Sequence, residues 1–382
     1  MSMNVSGLGS EPEDQPMPEG GWSEDLHLLA DACVVPPQIS ALVQPAGVLY
    51  SDGSYCPEAA LWRKFRPITT EPEHPKKIAE TLPGRWLWGG VLWAHFGHFL
   101  VESSSRLWAL PEVEEDIQGV LFMPKRPKVG KEVRGFHREF LSLFGTDLPI
   151  HVAAQPTRVE ELVVPGQGFG LGKITVGTRK FRRTVHDRFA KDVAPEGPDK
   201  IYISRSKLGL GKGGLLGEEL LETLLEAEGY EIFHPQEHSL TVQLARYKAA
   251  RKVIAADGSA LHLFAMVGRP DQEVAMILRR RSGANNLLVK HVESFSKCNP
   301  TVIGGLRAEW VPDALQRSSR LSFGELNHRV IGKTLKKLGF ISDASNWKVL
   351  SDEERDQILA DKGLGGQAGF TEVPKKRRNR EA

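Results

Sequence analysis

Residues 200–278 read KIYISRSKLGLGKGGLLGEELLETLLEAEGYEIFHPQEHSLTVQLARYKAARKVIAADGSALHLFAMVGRPDQEVAMIL. The apolar runs Lys200–Ser204, Tyr230–Phe233, Lys252–Ala256 and Val274–Leu278 alternate with helix-like stretches at Glu218–Glu228, Thr241–Ala250 and Ala260–Val267. Short strands joined by helical crossovers build a parallel α/β sheet. In such sheets ligands bind beyond the carboxyl ends of the strands. Two loops therefore matter most, the one after Ser204 and the one after Ala256.

The first loop delivers Ser204, Arg205 and Lys207 into the glycine-rich segment Gly209–Gly214, which also carries Lys212. A guanidinium fork, an ammonium point charge and open backbone N–H groups all suit phosphate oxygens. A solvated basic turn would read the same way, and the spacing matches neither a P-loop nor the dinucleotide fingerprint. In the second loop, Asp257-Gly258-Ser259-Ala260, small residues lead into a helix whose first N–H groups can receive an anion. An Asp-Gly turn with Ser259 as helix cap is the plain alternative. Two such loops on adjacent strands together point to a nucleotide site.

Outward from this stretch, 382 residues suffice for two domains with separate cores. The composition Ala194-Pro195-Glu196-Gly197-Pro198 marks a linker after a polar helix expected over Lys180–Asp199. The expected division is an acidic arm at 1–24, an N-terminal lobe at 25–195, a nucleotide-binding lobe at 196–300, an extension at 301–370 and a disordered basic tail at 371–382. Strands and loops are expected over Asp25–Leu49 and Phe65–Pro83, a helix over Gly90–Leu110, a short strand at Gly119–Met123, a helix over Val133–Phe144 and a strand at Glu161–Val164. The extension holds a strand candidate at Leu287–Val292 and a basic helix at Leu326–Leu338.

Fifty basic and 48 acidic side chains leave a formal charge of +2, so no global field favours nucleic acid. Cys33, Cys56 and Cys298 lie far apart with no metal-ligand spacing, which argues against disulfides and zinc and for a reducing compartment. The N-terminal residues, with Glu11, Glu13 and Asp14, lack the basic and apolar regions of a signal peptide. Trp86–Leu110, the most apolar candidate span, is interrupted by His95, His98, Glu102 and Arg106. On a continuous helix His98, Glu102 and Arg106 would share one face, either as a base with its supporting charges or as a structural ion-pair ladder.

The blocks Gly97-His98-Phe99-Leu100-Val101-Glu102 with Arg106-Leu107, Tyr202-Ile203-Ser204-Arg205, Glu218-Glu219, Gly229-Tyr230-Glu231, Gln243 and Gly258-Ser259-Ala260-Leu261 together resemble glycosyltransferase family 61 over residues 86–280. Its members include capsular and exopolysaccharide transferases. The resemblance implies a GT-B fold with two Rossmann-like lobes facing a cleft, an inverting displacement and a nucleotide-sugar donor held by the C-terminal lobe. Carried over, Arg205, Ser204 and Lys212 face the donor phosphates, Gly258, Ser259 and Ala260 form the donor loop, and Glu102, acting directly or through His98, is the base. Arg106, Asp257 and Gln243 support them. Relatives often have His at the Asp257 position and a second Arg at the Lys212 position, so an inactive nucleotide- or carbohydrate-binding regulatory protein is the alternative.

The nucleotide-sugar is then a co-substrate, with no permanently bound cofactor or metal. The acceptor is a glycan or glycolipid, nucleic acid is not a partner, and the expected location is cytoplasmic with scope for peripheral contact with the inner membrane. A Rossmann-type oxidoreductase is disfavoured because neither lobe has a GxGxxG after its first strand. Donor sugar, acceptor, linkage and oligomeric state do not follow from these residues.

Overall fold

The computed structural model describes residues 15–364 and 369–374, so most of the acidic arm and the basic stretch from Lys375 lie outside the described residues. The chain divides into two compact units, Met1–Asp192 and Val193–Ala382.

Unit 1 is built on a six-stranded sheet. Its strands are β1 (Leu26–Val35), β2 (Gly47–Leu49), β3 (Glu80–Leu92), β4 (Val120–Pro124), β5 (Ile150–Val152) and β6 (Thr157–Pro165), in the order β2-β1-β6-β3-β4-β5. Strands β6, β3, β4 and β5 run parallel, whereas β1 is antiparallel to both its neighbours. The sheet is therefore mixed, and the wholly parallel sheet of a Rossmann-like lobe is not what this unit contains. The cause is visible in the connection 36–46, which is too short for the crossover a parallel β1–β2 pair would need. Strand β4 is buried along its whole length, consistent with its unbroken apolar run. Trp88, Val91, Leu121, Met123, Leu162 and Val164 pack in the core of this unit.

The helix expected over Gly90–Leu110 does not form as one element. Strand β3 continues to Leu92, and the chain then makes single turns of different pitch: α-helical at Phe96–His98, π at Phe99–Ser103 and 3-10 at Leu107–Ala109. Three consecutive serines bond main-chain carbonyls. Ser103 donates to Val91 O at 2.7 Å, Ser104 to Leu100 O at 2.6 Å and Ser105 to Glu102 O at 2.7 Å. Hydroxyls used in this way compete with a regular helix. The polar helix expected over Lys180–Asp199 is likewise shorter. After α1 (Gly135–Ser142), α2 spans Arg179–Arg188 and stops because Phe189 leaves helical geometry to pack on Phe140 and Phe144.

Unit 2 contains five parallel strands, β7 (Lys200–Ile203), β8 (Glu231–Phe233), β9 (Lys252–Ala256), β10 (Glu273–Ile277) and β11 (Thr301–Ile303). Their order is β8-β7-β9-β10-β11, with α3 (Glu218–Glu226), α4 (Leu240–Ala249) and α5 (Ala260–Val267) as crossovers. The order reverses between β7 and β9, and a reversal of this kind opens a crevice beyond the carboxyl ends of those two strands. Leu287–Val292 is not a strand but part of helix α6 (Ala284–Ser296). Its buried residues Leu288, Val292 and Phe295 recur at helical spacing, a pattern that a six-residue apolar window conceals. The basic helix is α7 (His328–Lys337), which starts after Asn327 caps Val330 N, and Leu326 belongs to the preceding strand. A small second sheet joins Gly214–Leu216, Phe323–Leu326, Leu306–Pro312 and Phe370–Pro374.

Candidate functional site

In unit 2, strand β7 ends at Ile203 and Arg205 emerges from its carboxyl end. Its main-chain N–H donates to Glu218 Oε1 at 2.8 Å, and its guanidinium donates to Lys212 O at 3.1 Å. A Cβ on Gly258 would stand 2.7 Å from Arg205 Nη1, so a side chain there would push the Arg205 guanidinium aside. Strand β10 continues into Arg279 and Arg280. Arg279 Nε lies 2.9 Å from Asp257 Oδ1, with its N–H aimed at the Asp257 carbonyl at 3.0 Å, and Arg280 Nε lies 4.0 Å from Asp257 Oδ2. Arg281 turns away, its guanidinium donating to Arg307 O at 3.0 Å and Val373 O at 3.2 Å.

Three guanidinium groups thus converge at the switch point around a single buried aspartate. Burial lowers the Arg279 pKa to about 10, and the charges of Arg205 and Arg280 add to the effect while Asp257 opposes it. Burial also lowers that of Arg205. The Nε groups of Arg205 and Arg280 are buried and make no hydrogen bond. Unpaired buried donors on cations are costly, and an anion entering here would relieve both the repulsion and the missing bonds. Asp257, at a position where relatives often have His, is spent on holding Arg279 and Arg280. Those two arginines were missed, although three basic residues directly after a buried strand were a readable signal.

The remaining residues singled out in this unit are placed differently. Ser204 is buried and donates to Glu222, while Ser206 donates to the same carboxylate at 2.6 Å. Its hydroxyl orders the loop. Lys212 is exposed in the 3-10 turn Leu210–Lys212 and touches Arg205 through its carbonyl. Gly258, Ser259 and Ala260 line the entrance to α5, and the Ser259 side chain does not cap that helix. Gln243 lies apart, donating to Pro235 O at 2.8 Å and His238 O at 3.1 Å.

Glu218 underlies the arginine loop, accepting from Tyr202 Oη at 2.9 Å. Burial pushes its carboxyl up to about 7 from 4.5, against the hydrogen bonds that Arg205 N and Tyr202 donate. A raised folded-state pKa means the folded chain holds this proton more tightly. The resulting stability is fully present below pH 4.5 and is lost as pH rises through about 7. Glu218→Gln should remove a decline on the order of 3 kcal/mol across that window. Urea unfolding at about pH 5 and about pH 8 tests this, and equal pH dependence in both proteins would refute it.

In unit 1, Glu102 is fully buried in the π turn. Arg63 binds it through two nitrogens, at 2.7 and 2.6 Å, and His98 Nδ1 lies 2.9 Å from Oε2. Burial pushes the Glu102 carboxyl up, but the bonds from His98 and Arg63 outweigh it and the net pKa is lowered. An ionised carboxylate only accepts, so the His98 tautomer with the proton on Nδ1 satisfies it and leaves Nε2 as the basic nitrogen. Trp93 stacks on His98 at 4.6 Å and carries the Arg63 guanidinium at 5.1 Å. Arg63 comes from a hairpin far upstream and had no local signal.

Arg106 does not join this group. The π turn adds a residue and rotates Arg106 away, and its guanidinium instead donates to the carbonyls of Glu58 and Ala60 at 2.8 Å and of Pro165. Arg106→Ala should cost about 3 to 5 kcal/mol of stability by stranding those buried carbonyls. A denaturation midpoint within error of the parent would contradict that role.

The family model described as Glycosyltransferase 61 matches residues 96–273. This segment, a little under half of the chain, is similar to glycosyltransferase family 61. The matched segment contains His98, Glu102, Arg205, Glu218 and the Gly258-Ser259 turn, whereas Arg279 and Arg280 lie beyond it. The similarity to glycosyltransferase family 61 supports a glycosyltransferase activity, which in general takes a donor and an acceptor. No curated protein matches the chain. Among the described residues, no helix is long and apolar enough to cross a membrane, and no group of three or more His, Cys, Asp or Glu could hold a metal. All three cysteines are free and buried.

Proposed function

We propose that the chain is an inverting, nucleotide-sugar-dependent O-glycosyltransferase of GT-B type that acts in the cytoplasm in surface polysaccharide or glycoconjugate synthesis. The observation that carries the donor assignment is the cluster of Arg205, Arg279 and Arg280 at the switch point of a parallel sheet, with two unbonded buried Nε groups. A diphosphate matches that cluster in charge and in acceptor count. Gly258 gives the sugar phosphate close access, and the first N–H groups of α5 add a partial positive charge.

In the reaction, an acceptor hydroxyl attacks the anomeric carbon from the face opposite the diphosphate. The new carbon–oxygen bond forms as the bond to phosphate breaks, and the electron pair leaves on the phosphate oxygen, where the arginines stabilise it. The hydroxyl proton passes to His98 Nε2, while Glu102 holds the opposite ring nitrogen and stabilises the imidazolium. Guanidinium charge serves here where other transferases use a divalent cation, so transfer should persist in a chelator.

A thermal-shift screen of nucleoside diphosphates and their sugars, with and without chelator, is the test. A ligand at about 100-fold its Kd should stabilise by about 2.7 kcal/mol. No response to any nucleotide sinks the reading. A response without transfer to any glycan moves it to the nucleotide-binding regulatory alternative.

A further inference from the structure

We infer that unit 1 carries a docking surface for an anionic lipid bilayer, formed by the Lys64-Phe65-Arg66 hairpin tip and the loop 36–43. Trp62–Arg63 pairs antiparallel with Arg66–Pro67, which leaves Lys64 and Phe65 at the turn. Phe65 is 72% exposed, more than any other large apolar side chain among the described residues, and Lys64 and Arg66 beside it are exposed. The tip is held in place from behind: Lys64 N donates to Leu171 O at 2.6 Å, and Gln167 bonds both main-chain groups of Trp62, at 2.7 and 3.0 Å. A rigid support that presents an aromatic side chain to solvent has no evident use within the unit itself.

The loop 36–43 reads PPQISALV, and its Ile39, Leu42 and Val43 are also exposed. Lys125 fixes it, donating from Nζ to Ala41 O at 2.7 Å and Leu42 O at 2.9 Å. The two segments are neighbours because the Trp93 ring carries Arg63 at 5.1 Å and Lys125 at 5.6 Å, and because Gln44 N bonds Ile68 O at 3.1 Å. Together they contain the exposed cations Lys64 and Arg66 and no acidic residue, while Arg63 is engaged by Glu102.

An exposed aromatic tip between Lys64 and Arg66, beside an apolar loop, matches an interface of acyl chains and anionic headgroups. The apolar side chains enter the boundary region while Lys64 and Arg66 meet phosphate. Arg63, which bonds Glu102, shares the hairpin, so docking would bring His98 near the membrane surface and favour acceptors carried on lipid. That consequence rests on the proposed transfer reaction, but the surface itself does not.

Co-sedimentation of the full chain with phosphatidylcholine vesicles, with and without phosphatidylglycerol, tests the proposal. The chain should partition onto the anionic vesicles only, and salt should release it. Each Lys or Arg at such a surface contributes a factor of about five, so Lys64→Gln with Arg66→Gln should lower partitioning by roughly thirtyfold. Phe65→Ser should also lower it, whereas Val330→Ser, at an exposed apolar site on α7, should not. Nucleotide-induced thermal shifts should be unchanged in all variants, which separates this proposal from the donor assignment. No vesicle binding, or binding indifferent to phosphatidylglycerol, overturns it. So does self-association in solution that Phe65→Ser abolishes without any vesicle effect, since the surface would then belong to a second copy of the chain.

Discussion

Arg205→Ala should weaken nucleoside diphosphate binding by roughly tenfold to over a hundredfold, the loss expected for one charge-assisted contact worth about 1.5 to 3 kcal/mol. Lys207→Ala should leave affinity nearly unchanged. Both cations follow the same strand, but they face different surroundings. Arg205 packs against Gly258 and shares its site with Arg279 and Arg280, and its buried Nε makes no hydrogen bond. Lys207 is exposed and pairs with Glu237 at 3.2 Å, an interaction that solvent screens. Isothermal titration with a nucleoside diphosphate distinguishes them, and equal small effects would remove the phosphate site from this loop. The fold should survive Arg205→Ala, because the main-chain bond from residue 205 to Glu218 does not depend on the side chain.

Glu102→Gln should lower turnover by about two to four orders of magnitude, the range over which general acid–base assistance acts, while donor affinity stays close to that of the parent. The substitution preserves shape but removes the negative charge that fixes the His98 tautomer and would stabilise the imidazolium. It also leaves Arg63 without its carboxylate, so some stability is lost with it. Turnover must therefore be expressed per folded molecule. A purely structural ion pair would lose activity only in proportion to the unfolded fraction. His98→Ala supplies the second arm, with a comparable loss of turnover and unchanged donor affinity. Full turnover in folded Glu102→Gln protein would end the assignment of this pair to catalysis.

The parallel sheet of unit 2 was legible because its strands are short apolar runs separated by well-formed helical stretches. Each such segment carries its own signal, and so β7 to β10 and the helices between them agree with the reading to within a residue or two. Unit 1 was less legible. Its first strand runs antiparallel in a sheet otherwise parallel, and direction is a property of pairing that no local pattern encodes. The segment after Leu92 has apolar residues at helical spacing, yet its three serine hydroxyls and the π turn break it.

The sequence by itself determined the α/β class and the two loops at the carboxyl ends of neighbouring strands, since each depends on residues close together along the chain. Only the tertiary structure decided which charges meet. It separated Arg106 from Glu102, gave Glu102 the distant Arg63 instead, and set Asp257 to hold Arg279 and Arg280. Such pairings join groups far apart in sequence. They are chosen by what burial demands, because a charge taken out of water must find a partner wherever the packed chain brings one within reach.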